Sequence, residues 1–517
     1  MPVGVSVPLS INSSEELMDE LARFSGINTV KPETISGLKV KLEYHQAQAL
    51  GWMHMCEMLE PFGGILADDT GLGSTWTIIA WLLIQKLQNQ EDTHSCYGGE
   101  TLIVCPKSIL SKWVDDIQAV AGDQLKVYMY YGKNRDISEI SSADIVITSY
   151  TVVKYDWNND RNLLNPNWRR VILDEAQAIR NIQTERSKAI SALKSRFRWA
   201  VTGSPIQNST HDFMALLGFL FRGPIKMDRC LCLRRTISDV QTTGQLQNFP
   251  QLIPKEIKIE LNEQERILYN KVRSKLDLCV ETRTMIHLVR TQRLQQLCSH
   301  PYLIRSLNII DQNEYEGEST FDCSDTSDEN VLSLRNPIFH RNTPSTKISR
   351  AIEIINEHVL LEKKKIIVVS QSVALLEILN KHLYKDSTRQ LKIMTLTGRT
   401  PQHKIGELIS DFNESVKPCI LLISLKLAET GLNLNGAKYL LFMDLHWNPH
   451  LEPQSAIHRL GQQNENVIVF QFVCKDTVDD HIQQVQQTKL SLAFQHFKKY
   501  TISKVREVIN YFLNLLE

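Results

Sequence analysis

The sequence predicts an α/β protein of two parallel-sheet units, with a helical insert between them and a helical C-terminal tail. Three observations carry this. The chain has 517 residues, more than one hydrophobic core usually organises. Short, near-continuously apolar runs alternate with helical stretches, the mark of parallel strands buried on both faces. The alternation then stops near residue 222 and resumes near Ser345.

Residues 1–36 form a polar lead-in with a helix pattern at Ser14–Leu21. The first unit spans 37–222, with strands expected at Thr101–Cys105, Leu125–Tyr130, Asp144–Thr148, Val171–Asp174 and Arg198–Thr202. The insert, 223–344, is mainly helical in pattern. It includes Asn262–Arg273 and ends in an acidic, serine-rich loop, Asp311–Asn330, whose composition suits disorder. The second unit spans 345–477, with strands expected at Lys365–Ser370, Lys392–Leu396, Cys419–Ser424, Tyr439–Asp444 and Val467–Phe472. The tail, 478–517, reads as helix. Open sheets of this kind bind ligands beyond the carboxyl ends of their strands.

Composition excludes the extreme classes. The 58 basic and 58 acidic residues cancel, so any basic surface for nucleic acid must be local. Among ten cysteines the closest pair, Cys230 and Cys232, has no second pair downstream, which supports neither a zinc site nor a disulfide framework. MPVGVSVPLS has no signal-peptide pattern, and no apolar run approaches the ~20 residues that span a bilayer. A reducing compartment, cytoplasm or nucleus, and no membrane partner are expected.

Four stretches could carry chemistry. The first is GGILADDTGLGSTWTIIAWLL at 63–83, in the order strand, glycine loop, helix. Consecutive backbone N–H groups around Gly71 and Gly73 can form an anion nest feeding a helix N-terminus, with Ser74 and Thr75 following. A glycine turn between strand and helix reads equally well. The second is Asp174–Glu175, closing an apolar strand: a magnesium ligand beside a group that orients water, or an acidic helix start favoured by the helix dipole. The third is the small polar turn beginning at Thr202. The fourth is Arg459, an arginine able to stabilise γ-phosphate charge, or a solvated surface residue.

The ordered set is specific where its members are not. From Leu42 to Lys489 the chain resembles the ATPase engine of the Snf2 family, within helicase superfamily 2. The matching stretches begin with Leu42–Gln46, GGILADDTGLGST, TLIVCPKSILSKW, DIVITSY, VILDEAQAIRN, AVTGSPIQNS, CLRRT and RLQQLCSHPYLI. IIVVSQS, LLISLKLAETGLNLNGAKYLLFMDLHWNP and HRLGQ complete them. Within the family, Tyr131–Asp136, Asp444–Pro449 and Phe472–Asp480 are most similar to the transcription termination factor 2 (lodestar) branch. No clustered Cys/His pairs lie between Leu233 and Ser370, unlike relatives with a RING insert.

The resemblance implies two RecA-like lobes that bind ATP and Mg2+ and track along double-stranded DNA. It implies a nuclear protein that releases RNA polymerase II from its template. It also implies residue roles: Gln46 near the adenine; Asp69–Thr75 and Gly431 around the nucleotide; Thr75 and Asp174 on Mg2+; Asp174, Glu175 and Arg459 in hydrolysis.

Four departures bear on that role. Ser74 occupies the position of the phosphate lysine, and no basic residue lies between Gly63 and Gln85. A charged contact to phosphate contributes about 1.5–3 kcal/mol, and losing a preorganised electrostatic group costs about 10²–10³ in turnover. The segment Gln454–Gln462 is two residues shorter than the family pattern, which sets Gln454 and Arg459 about 140° apart on a helix. Only Thr210–Cys232 remains of a longer helical protrusion, and Glu429 brings a carboxylate into a loop that would face phosphate backbone. Two expectations follow: a DNA-dependent ATPase motor with impaired hydrolysis, or a degenerate relative that binds nucleotide or DNA as a scaffold or competitor.

Overall fold

The computed structural model describes residues 37–58, 60–88, 99–133, 135–207, 209–221, 232–242, 252–281, 287–305, 330–385, 391–428, 432, 434, 436–447, 466–489 and 491. Two compact units divide the described chain between residues 242 and 252.

The first unit is a seven-stranded, wholly parallel sheet in the order β3-β4-β2-β5-β6-β1-β7. Its strands are β1 Gly63–Leu66, β2 Gly99–Cys105, β3 Val127–Met129, β4 Ile145–Ser149, β5 Trp168–Asp174, β6 Ser195–Val201 and β7 Cys232–Leu233. Alternate residues of one strand serve opposite cores, as the two-residue strand period requires. Ile103 and Cys105 pack with Trp52, Trp81 and Trp113 from the helices Tyr44–Met58, Ser74–Gln88 and Leu110–Ala121. Leu102 and Val104 face Val153, Ile190 and Phe213 from Tyr150–Asn158, Glu185–Ser191 and Thr210–Leu220. At Gly63, φ +142°, a Cβ would lie 1.9 Å from the Arg198 carbonyl oxygen, so the close pairing of β1 with β6 requires glycine there.

The Arg170–Glu57 charge pair is buried on this sheet. Arg170 of β5 donates to both oxygens of Glu57, whose Oε1 also accepts from the indoles of Trp81 and Trp199. Both side chains are under 10% exposed, at 3% and 7%. Such a pair is tolerable only with its hydrogen bonds satisfied.

The second unit is a six-stranded parallel sheet, β10-β11-β9-β12-β13-β8. Its strands are β8 Leu252–Ile259, β9 Ile366–Ser370, β10 Lys392–Leu396, β11 Cys419–Ser424, β12 Tyr439–Phe442 and β13 Val467–Cys474. The same alternation holds: Ile366, Val368, Ile420 and Leu422 serve one core, Ile367, Val369, Leu421 and Ile423 the other.

The segment 223–344 differs from its helical expectation at two places. β7 joins the first sheet beside β1, and β8 forms an edge of the second beside β13. Both escape periodicity for a physical reason: β7 has two residues, and β8 is an exposed, lysine-bearing edge strand with Pro254 inside it. The helix Glu263–Glu281 runs well past Arg273. Of the expected tail, 478–489 is helical. The Ser14–Leu21 helix, the acidic loop before Asn330 and the tail beyond 491 lie outside the described residues.

Candidate functional site

The register of the first sheet assembles the site. Leu233, Leu66, Val201 and Asp174 lie level on β7, β1, β6 and β5. The residues that follow, Arg234, Ala67, Thr202 and Glu175, therefore leave the same carboxyl edge. The glycine loop and the acid pair are two strands apart, about 10 Å at ordinary strand spacing.

The loop turns on Gly71 and Gly73, at φ +107° and +79°, backbone that residues with a Cβ seldom adopt. It delivers Ser74 to the first position of the Ser74–Gln88 helix, with Gly73, Ser74 and Thr75 half-buried. Its carbonyls are held from the side. His45 Nε2 donates to Leu72 O at 2.8 Å, and Gln46 Nε2 donates to Leu72 O at 3.3 Å and Gly73 O at 3.1 Å. Gln46 Oε1 accepts from the Glu43 amide at 2.8 Å, so this buried amide is fixed at its own helix start while its other end braces the loop. Burial first, and then the nearby Arg235 charge, lowers the His45 pKa to about 4, which keeps the ring neutral.

Two arginines clamp the loop's acids. Arg235 donates through its backbone N–H and Nε to Asp68 Oδ1, through NH2 to Asp68 Oδ2, and through NH1 to the His45 carbonyl. Arg234 donates to Asp69 Oδ1 at 2.9 Å, Ala67 O at 2.6 Å and Gly203 O at 3.1 Å. Burial raises the Asp69 pKa, and Arg234 works against that rise. The turn after β6 abuts the loop as well: a Cβ on Gly203 would sit 2.3 Å from Thr70 Oγ1.

At the other strand end, Trp113 Nε1 donates to Asp174 Oδ2 at 2.8 Å and the Glu175 amide to Asp174 Oδ1 at 2.9 Å. Tyr150 Oη donates to the Asp174 carbonyl at 2.7 Å. Glu175 stands in left-handed backbone, φ +51°, an uncommon state for a residue with a Cβ. Its Oε2 accepts from Gln177 Nε2 at 2.6 Å, and Gln177 Oε1 accepts from Thr202 Oγ1 at 2.7 Å. Thr202 Oγ1 in turn accepts from the Ser204 amide at 3.1 Å. One chain of hydrogen bonds thus joins the acid to the turn that touches the loop. Burial, followed by the Asp174 charge, pushes the Cys105 thiol and the Tyr150 phenol upward, leaving both neutral.

Of the residues singled out in the sequence, Gln46, Asp69, Thr70, Gly71, Leu72, Gly73, Ser74 and Thr75 meet on or around one loop. Asp174, Glu175 and Thr202 share its sheet edge. Gly431 and Arg459, with the whole 454–462 segment, lie outside the described residues. Sequence reasoning missed the braces: His45, Trp113, Gln177, Arg234 and Arg235. No basic residue lies between Gly63 and Gln85, yet two arginines of the CLRRT stretch reach the loop from β7. Their signal was a pair of arginines directly after an apolar strand end, matching in number the two acids one residue past β1.

The donors fit a magnesium–phosphate group: hydroxyl and carboxylate oxygens, Thr75 and Asp174, are hard ligands suited to that ion. In the second unit, Asp444 accepts from Ser370 Oγ and the Gln371 amide at the carboxyl ends of β9 and β12. Among the described residues, ligand-type atoms of Cys298, Cys474 and Asp479 gather in that unit's core. Lys347 Nζ lies 3.6 Å from Asp479 there and supplies positive charge to the same nest.

Residues 45–230 match the SNF2-related domain, and residues 346–464 match the helicase conserved C-terminal domain. The chain is 30% identical to transcription termination factor 2 of Drosophila melanogaster, over 94% of this chain and 60% of that protein. It is 29% identical to the helicase-like transcription factor of Homo sapiens, over 79% of this chain and 53% of that one. It therefore spans little more than half the length of these relatives. A solved structure, the Sulfolobus solfataricus SWI2/SNF2 ATPase core in complex with dsDNA, is 25% identical, covering 92% of this chain and 96% of that one with a TM-score of 0.39.

Proposed function

This chain belongs to the Snf2 family of helicase-like ATPases, and from that premise we propose that it binds ATP with Mg2+ on the first unit, tracks along double-stranded DNA, and hydrolyses nucleotide slowly. The observation that carries this reading is the braced sheet edge. His45 and Gln46 hold carbonyls of the loop, Arg234 and Arg235 hold its acids, and Asp174 and Glu175 stand on the same edge with hydrogen-bond partners in place, which supports a phosphate-cradling role.

In this reading the loop amides and the start of the Ser74–Gln88 helix face the phosphates. Thr75 and Asp174 hold the ion, which would supply charge neutralisation at the phosphates. Glu175 orients the attacking water. Its left-handed backbone is the kind of local strain that functional positions retain. Ser74 supplies a hydroxyl and no charge, so phosphate binding loses less than turnover does. Arg234 and Arg235 do not replace the lysine, because they are engaged with Asp69 and Asp68. The broader role we propose is nuclear: release of RNA polymerase II from its template in transcription termination.

Ser74 favours a second reading, a pseudo-ATPase that binds nucleotide or DNA as a scaffold or competitor. Steady-state ATP turnover with and without duplex DNA separates the two. Slow turnover that duplex DNA stimulates is expected. Absence of turnover, with ADP and ATP still binding in a titration, establishes the scaffold. Absence of any nucleotide affinity removes both nucleotide readings.

A further inference from the structure

We propose that Trp113 is a positioning residue for Asp174, fixing the rotation of the carboxylate that would hold magnesium. The inference rests on the nucleotide reading above and adds a residue that acts through Asp174. Trp113 belongs to the buried side of the Leu110–Ala121 helix and is 2% exposed. A buried indole has one polar atom, a donor, and that donor needs an acceptor. Here the acceptor is Asp174 Oδ2, at 2.8 Å.

Asp174 Oδ1 is held from another direction by the Glu175 amide, and its carbonyl by Tyr150. Two donors on the two oxygens of one carboxylate set the plane of the group. Neither of these two donors carries charge, so they orient the carboxylate without an ion pair of their own. An arginine or lysine in the place of Trp113 would orient the carboxylate equally and partly neutralise it. Arg234 and Arg235 do that to Asp69 and Asp68 on the loop two strands away. A neutral N–H is the donor that orients without discharging. Groups that orient a metal-holding residue typically govern affinity by about 10–100-fold.

The test is ADP binding by the full chain, measured by calorimetry across a range of Mg2+ concentrations. Trp113→Phe keeps an aromatic ring and removes the N–H. A second variant with benzothienylalanine at position 113 puts sulfur where the N–H stands and keeps the volume, covering the case in which Trp113→Phe fails to fold. Both are expected to raise the half-saturating Mg2+ concentration about 10–100-fold while Mg2+-free ADP affinity stays unchanged. In an Asp174→Asn background the same changes at position 113 should have no further effect. Unchanged Mg2+ dependence overturns the proposal, as does an equal loss of Mg2+-free affinity, which marks a merely structural tryptophan. ADP binding without Mg2+ dependence in the unmodified chain overturns the role given to Asp174 itself, and the proposal falls with it. That failure shows in the unmodified chain, whereas failure confined to Trp113 shows only in the variants.

Discussion

The glycine loop and the acid pair leave the same edge of the same sheet, and their supports are of opposite kinds. The acids of the loop, Asp68 and Asp69, are neutralised by Arg235 and Arg234. Asp174 and Glu175 are held by neutral donors, an indole, a backbone amide and a side-chain amide. The loop's carboxylates are therefore tied into its frame by ion pairs, whereas these contacts at the strand end set orientation without adding charge. On the reading proposed above, Ser74 leaves the loop without a cation while the braces around it stay in place. The difference teaches that a single substitution can empty a site of charge without loosening its geometry, because the groups that shape the loop are not those that would act on phosphate.

Restoring that cation should give the largest effect. Ser74→Lys returns a cation to a loop already in shape, and DNA-stimulated ATP turnover is expected to rise about 10²–10³-fold with a smaller gain in ATP affinity. No rise would mean that the loop is not the limiting lesion, and would direct attention to 454–462.

Breaking the frame comes next. Arg235→Ala leaves Asp68 buried with its charge unpaired, and removing one partner of such a pair costs about 3–5 kcal/mol. The Asp68 side chain is 4% exposed, so solvent can do little to offset the loss. Denaturant unfolding of Arg235→Ala should show this cost, with nucleotide binding lost together with the loop's shape. A stable Arg235→Ala protein would show that the clamp is not structural.

Two fully buried histidines, His45 in the first unit and His300 in the second, set the third effect. His45 braces Leu72 O in the first. In the second, His300 holds Thr343 O through Nε2 and accepts the Tyr302 amide through Nδ1. Burial lowers both pKa values from the usual 6.5 to about 4. Between pH 6.5 and 4 the unfolded chain takes up protons at these positions that the folded chain refuses. Stability at these positions is therefore full above pH 6.5 and falls as pH drops to 4, by at most about 3 kcal/mol for each ring. His45→Gln and His300→Gln should each flatten the pH dependence of unfolding in that window. An unchanged slope in either variant would show that its ring is not the titrating group.

How much of this was legible in the sequence divides along the same line. The alternation of buried runs gave the strands of both units to within a few residues, because a parallel strand covered on both faces is apolar along its length. β7 and β8 were not legible: two residues show no period, and an exposed edge strand with a proline has no apolar run. Residues that carry chemistry were visible where type and order coincide, as at Gly71, Gly73, Asp174 and Glu175. Residues that hold them were not. Arg234 meets Asp69 from 165 positions away and Trp113 meets Asp174 from 61, and only the sheet order β2-β5-β6-β1-β7 brings such positions together.

The smallest effect tests the link between loop and acids. Thr202→Val keeps the shape of the side chain and removes one oxygen, which donates to Gln177 and accepts from the Ser204 amide. Thr202 is 2% exposed, so water does not replace either bond. A buried donor left without its partner costs about 1–3 kcal/mol, and the low end is expected here because Ser204 sits in a turn that can adjust. The affinity for ADP should stay near that of the unmodified chain, because neither the loop carbonyls nor Asp174 loses a contact. Turnover should fall further than stability does, since Gln177 then holds Glu175 from one end only. Equal losses in turnover and stability would make Thr202 a packing residue, and would leave the loop and the acid pair as neighbours without a shared network.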